Sequence, residues 1–187
     1  DIAAPKNRLI LPQVQAIREL LDKNAMVMMV KLEELSDILL ILNKKPNLIV
    51  ADSSVFLEVY EKKPADVKLT SFSVLFAKLK GDIDEYMRGV EALKKLNENS
   101  KILIAECCTH APAEEDIGRI KIPNMIRKKV GKNLKVDVTS GSAFPENISD
   151  YDLIIQCGGC MLNSKNIKNR INTAQEKSIP ITNYGIV

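Results

Sequence analysis

The chain has no cysteine in its first half, a single histidine among 187 residues, and no long apolar run. The longest uninterrupted apolar stretches, such as "MVMMV" at 26–30, fall far short of the roughly 20 residues that span a bilayer. Neither a membrane segment nor a signal peptide ahead of the first element is expected. Neither a G-x-x-x-x-G-K-[ST] loop nor a G-x-G-x-x-G turn occurs, which argues against a kinase, NTPase or dehydrogenase reading. A dominant charge is missing too. Against 27 Lys and Arg stand 24 Asp and Glu, a net charge of +3, too mild to call for nucleic acid or a membrane surface. No segment is low in complexity, and no fixed-period repeat is found. The chain opens on Asp1, and "DIAAPKN" reads as the tail of a linker, so a fragment of a longer protein is expected.

What is present is a β-α alternation. At 45% hydrophobic, the chain can bury one sizeable core or two small ones. Near-continuous apolar runs recur at Met26–Val30, Leu48–Ala51, Val67–Leu69, Ile102–Ala105, Leu134–Val138, Leu153–Ile155 and Ile179–Thr182. Unbroken apolarity predicts strands buried on both faces, as in a parallel sheet covered by helices. Helical spacing fills the intervals. Val14, Ile17, Leu20 and Leu21 share a face, with Pro12 in a first turn. Residues 32–42 and 54–60 follow their strands closely. Asp82 is a candidate cap for a helix with Ile83, Met87, Val90 and Leu93 on its inner face. Near the end, Ile167, Ile171 and Ala174 face in while Lys165, Lys168 and Lys177 face out. The predicted fold is α/β, two small domains each with a mostly parallel sheet flanked by helices. The polar stretch "LNENSK" (96–101) sets the expected boundary, giving domains 1–97 and 98–187.

All the distinctive chemistry lies in "ECCTHAP" (106–112) and "QCGGC" (156–160). Such clustering, without a leader, suits a reducing cytoplasm better than a secreted disulfide framework. Each stretch directly follows an apolar run, so two parallel strands would deliver both to one carboxyl edge, where α/β folds bind ligands. Gly158 and Gly159 let the chain turn tightly between Cys157 and Cys160, beside the start of a helix that favours thiolates. Adjacent side chains on an extended chain point to opposite faces, so only one of Cys107 and Cys108 can readily face the site. Three thiolates suit an iron–sulfur cluster with one iron open to exchange. His110, or a carboxylate among Glu114, Glu115 and Asp116, could supply a further ligand. Two other readings stay open at this point: a structural zinc module serving assembly, and a thiol–disulfide oxidoreductase built on Cys157 and Cys160. "IRKKVGK" (126–132) reads as a solvated helix end.

"ECCTHAPAEEDIGRIKIP", "FPENISDYDLIIQCGGCMLN" and "IPITNYG", in this order, resemble the C-terminal region of HydF, the GTPase family that matures FeFe-hydrogenases. "APKNRLILPQVQAIRELLD" is similar to the start of that family's dimerisation domain. The resemblance implies a homodimerising domain over 1–97 and a cluster-binding domain over 98–187. It implies that Cys108, Cys157 and Cys160 hold a 4Fe–4S cluster with a labile fourth position, matching the family's Cys-x-His and Cys-x-x-Cys segments. Gln156 stands where the family commonly has histidine, which leaves His110 or Glu115 as the protein group for the fourth site. The implied role is a scaffold that takes up a two-iron precursor and hands it to apo FeFe-hydrogenase, working with the other maturation proteins. GTP would belong to a domain outside this chain, and no enzymatic activity is expected of the fragment itself. Arg119 or Lys121 is a candidate attractor for an anionic cargo, with a solvated face as the plainer reading.

Overall fold

The computed structural model describes residues 10–107, 117–141, 144–159 and 161–187. It divides into two compact units between Leu75 and Phe76, upstream of the polar stretch at 96–101.

In the first unit, α1 (Leu11–Asp22) carries Pro12 in its first turn, where a missing N–H costs nothing. Then follow α2 (Leu35–Ile41), β1 (Leu48–Ala51), α3 (Phe56–Lys62) and β2 (Lys68–Ser71). The two strands pair in parallel, from Leu48 opposite Lys68 to Ala51 opposite Ser71. Their core is small: Leu35, Ala51 and Val59, flanked by Leu32, Leu39, Ile49, Phe56 and Leu69. The run Met26–Val30, expected as a strand, is not one. Met26, Met28, Met29 and Val30 lie exposed, Met26 fully so. Among the described residues no strand pairs with this run, and without a ladder the backbone gains nothing from extension.

The second unit begins inside α4 (Phe72–Lys80). It continues with α5 (Ile83–Ala92), β3 (Lys101–Ala105), a π-helical turn at Ile117–Lys121, α6 (Ile122–Val130) and β4 (Lys135–Thr139). After these come β5 (Leu153–Gln156), α7 (Ser164–Glu176) and β6 (Ile181–Asn183). The sheet is parallel throughout, in the order β4-β3-β5-β6. Successive residues of one strand feed opposite cores. Leu103, Ala105 and Ile154 pack with Tyr86 of α5 and Ile167, Ile171 and Ala174 of α7. Ile102, Ile104, Leu153 and Ile155 pack with Ile122 and Ile126 of α6. This double burial is why the strands read as unbroken apolar runs, and each fully buried Ile or Leu contributes about 2 kcal/mol.

Asp82 does cap α5, its side chain accepting from the Glu85 N–H at 3.0 Å. The buried face of α5 is centred on Tyr86 and Gly89, however, and Met87 is exposed. Gly89 sets that rotation: a Cβ there would stand 2.0 Å from the Ile181 carbonyl oxygen, so only glycine lets α5 lie this close to β6. In α7, Ile167, Ile171 and Ala174 are buried and the three lysines exposed, as the spacing predicts.

Candidate functional site

The four strands of the second sheet end level. Ala105 stands beside Thr139 and Gln156, and Gln156 beside Asn183. β3 and β5 are neighbours although their connections leave toward opposite sides, to β4 and to β6. At such a reversal doubly wound sheets as a class have their ligand crevice, beyond the carboxyl ends that are here those of β3 and β5. Both thiols of the described residues emerge there, Cys107 two residues after β3 and Cys157 one residue after β5.

Backbone bonds carry the ladder past the strand ends. The Cys157 N–H donates to the Ala105 carbonyl at 3.0 Å, and the Glu106 N–H to that of Thr139 at 2.8 Å. The Cys107 N–H points at the Cys157 sulfur, 3.1 Å away. Asn183 holds the Cys157 carbonyl from the β6 side at 3.1 Å. The Cys157 thiol is brought down from an ordinary 9.0 to about 7. The Cys107 thiol, hydrogen-bonded to it, is the main cause; burial opposes the shift, while N–H donors and the Arg170 charge assist it.

Two cations brace this sheet edge. Arg170, on α7 and only 3% exposed, donates from Nη1 to the Cys107 sulfur at 3.3 Å and from Nη2 to the Glu106 carbonyl at 3.3 Å. Its Nη2 also bonds the Gly141 carbonyl, and its Cζ lies 5.0 Å from the Phe144 ring centre. Lys80, at the end of α4, donates to the carbonyls of Gly159 at 3.3 Å and Leu162 at 3.1 Å, holding the loop that follows Cys157. Gly159 takes φ +65° in this loop, and among the described residues a Cβ on Gly158 would meet nothing within 4 Å.

Gln156 is fully buried, and its Nε2 donates to the Tyr86 hydroxyl at 3.1 Å while Oε1 has no partner among the described residues. Burial pushes the Tyr86 hydroxyl up, and the two neighbouring thiols add to the effect. Arg119, considered above for cargo, instead binds the buried Glu106 carboxylate, with Nη2 2.8 Å and Nε 3.1 Å from Oε2. Ser140 completes that cluster. Lys121 is exposed on the π-helical turn.

A family model described as the hydrogen maturase F dimerization domain matches residues 1–81. A second, the hydrogen maturase F tetramerization domain, matches residues 84–187. The chain belongs to the hydrogen maturase F family. Neither matched part is the family's GTPase domain. Comparison with curated proteins gives no match. Among the described residues, no helix is long and apolar enough to cross a membrane.

Of the expected site residues of this hydrogen maturase F chain, Cys157 is described. Cys108, His110, Glu115 and Cys160 lie outside the described residues. Among the described residues no group of three or more His, Cys, Asp or Glu is placed to hold a metal ion. Of the three cysteines, the described one has surroundings a thiolate ligand can use: the Cys107 N–H is aimed at the Cys157 sulfur, and the Arg170 guanidinium lies behind it on Cys107. Arg170 had a readable signal that motif analysis passes over. It lies three residues after Ile167 and four before Ala174, on the buried stripe of α7, where an unpaired charge would be costly. Lys80 has no such signal.

Proposed function

We propose that this chain is an iron–sulfur scaffold and carrier in FeFe-hydrogenase maturation. Its cluster-binding part would hold a 4Fe–4S cluster through Cys108, Cys157 and Cys160, with His110 or Glu115 near the fourth position. When bound, the cluster supplies an iron with a coordination place open to exchange. The cargo is a two-iron precursor, delivered to apo FeFe-hydrogenase with the other maturation proteins. Carriage requires release, and an exchangeable position suits release better than a closed tetrahedral site.

The observation that carries this reading is the environment of Cys157. A thiol at the carboxyl ends of β3 and β5 is drawn down to about 7 by donors aimed at its sulfur, though it is buried. Thiolate, not thiol, is the form that binds metal. The matched dimerization domain supports a homodimer, and so do the exposed Met26, Met28 and Met29 and the exposed Leu40 and Ile41 of α2. Apolar groups left in water in one unit mark a surface that a partner covers.

The test is anaerobic reconstitution of the whole chain with ferrous iron and sulfide, followed by iron and sulfide counts and EPR of the reduced protein. Four irons per chain with a cubane signal, lost on Ala substitution of Cys108, Cys157 or Cys160, is the expected result. Transfer is then read as hydrogen evolution restored to apo-hydrogenase by protein loaded with the two-iron precursor. Zinc that iron cannot displace would make the chain an assembly module. A reversible Cys157–Cys160 disulfide with no bound metal would make it an oxidoreductase.

A further inference from the structure

Lys80 stands at the end of α4, where a lysine ordinarily turns to solvent or to the last carbonyls of its own helix. Lys78, in the same last turn, is exposed. Lys80 is half-buried instead, and its ammonium reaches a loop 79 to 82 residues along the chain. There Nζ donates to the Gly159 carbonyl at 3.3 Å and to the Leu162 carbonyl at 3.1 Å. The buried Phe76 ring, one turn earlier on α4, has its centre 4.8 Å from the same nitrogen. Gly81 follows the helix, and a Cβ there would stand 2.7 Å from the Tyr86 hydroxyl. That close packing against α5 sets where α4 stops, and so where the Lys80 side chain starts.

The two carbonyls belong to the ends of one turn. The Leu162 N–H donates to the Gly159 carbonyl at 3.1 Å, and Lys80 joins the same two residues from outside. The turn stands between Cys157 and the start of α7, and in sequence it contains Cys160. Gly159 faces two ways. Its N–H is among the donors to the Cys157 sulfur, while its carbonyl is held by Lys80. Glycine visits positive and negative φ about equally, so a carbonyl fixed from outside helps to keep Gly159 at φ +65°.

We propose that Lys80 is a positioning residue for the cluster site: it staples the Gly159–Leu162 turn, keeping the Gly159 N–H on the Cys157 sulfur and the chain on either side of Cys160 in place. This rests on the scaffold reading above. Lys80 acts through two backbone carbonyls, so it governs how firmly the loop presents its thiolates, not how many there are. Without the staple the loop opens more often, and a bound cluster is lost through that opening.

The experiment compares wild type, K80M, K80R and K78M as full chains. Amide hydrogen exchange reads the metal-free protein, and anaerobic reconstitution with iron and sulfide gives the loaded one. In the metal-free chain, K80M is expected to exchange roughly tenfold faster at Gly159 and Leu162, with the amides of β3 and β5 unchanged. In the loaded chain, K80M is expected to surrender iron to a ferrous chelator roughly tenfold faster than wild type. K80R, whose fork still offers donors to two carbonyls, is expected to recover most of both effects, and K78M to match wild type. K80M that matches wild type in either measurement overturns the proposal. So does K80R as labile as K80M. Faster exchange over the whole sheet, or a K80M chain that does not fold, overturns it as well, because Lys80 would then be a general stability residue. Wild type that takes up no cluster fails the scaffold reading, and this proposal falls with it. A failure of the proposal alone shows as loaded wild type beside a K80M that holds iron equally well.

Discussion

The backbone N–H of Cys107 donates to the sulfur of Cys157, 3.1 Å away and fifty residues along the chain. This contact joins the ends of two neighbouring parallel strands and aims a fixed dipole at a thiol. Because the donor is backbone, Cys107→Ala keeps it, whereas Cys157→Ala removes the acceptor and the proposed ligand together. Reconstituted Cys107→Ala is therefore expected to bind close to the wild-type iron content, and Cys157→Ala less than a tenth of it. Equal loss of iron in both variants would mean that the Cys107 side chain is itself needed, contrary to this account.

Gly158 and Gly159 look interchangeable in sequence but not in structure. Gly159 takes φ +65°, and a Cβ there would stand 2.5 Å from Ile167 Cδ1, whereas among the described residues a Cβ on Gly158 meets nothing within 4 Å. The Ile167 methyl lies at the free end of a side chain and can shift, so the backbone conformation carries most of the cost. Gly159→Ala should lower stability by about 1–2 kcal/mol and Gly158→Ala by less than about 0.5 kcal/mol. Urea unfolding of the two variants decides it; equal midpoints would contradict the assignment.

Much of the second sheet was legible because Ile102–Ala105 and Leu153–Ile155 are buried on both faces, and double burial leaves an unbroken apolar run. The same rule misleads at Met26–Val30. Apolarity records what must leave water, not whether a neighbouring strand exists to receive the backbone, and here none among the described residues does. Alternation along an extended chain leads to one of Cys107 and Cys108 facing the site, with Cys108 expected as the ligand; Cys108 lies outside the described residues, and the contact described is made by the Cys107 backbone N–H. Arg170 escaped motif reading because charged helical residues usually face water. Its position on the Ile167–Ala174 stripe was the only hint, and its partners at 106, 107 and 141 depend on tertiary structure.

The exposed methionines of the first unit yield a prediction on assembly. Met28 and Met29 are 60% and 52% exposed, so a charge there costs the isolated unit little. In a dimer that covers them, each copy of the double variant would bury two unpaired carboxylates, which is strongly unfavourable. Met28→Asp with Met29→Asp should raise the dimer dissociation constant at least a hundredfold, with the circular dichroism spectrum unchanged. Light scattering across a dilution series gives the measurement. A double variant that stays dimeric at the wild-type concentration would place the interface elsewhere on the unit.

The Asp137 carboxylate of β4 accepts from Lys101 Nζ at 3.2 Å and from the Tyr151 hydroxyl at 3.0 Å. The Lys101 ammonium, and next the Tyr151 hydroxyl, hold it below its ordinary 3.8. The folded state thus binds this proton more weakly than the unfolded chain. The stability so gained is present in full above 3.8 and disappears as pH falls through the lowered folded value. Because the Asp137 side chain is 49% exposed, solvent screening limits the gain to about 0.5 kcal/mol. Asp137→Asn should therefore be less stable than wild type by about that amount at pH 6, and the difference should vanish near pH 2. Urea midpoints for both proteins across this range test the sign. A gap that widened on acidification would show that the pair is not what lowers Asp137, while strong salt at pH 6 should narrow it because the pair lies partly in water.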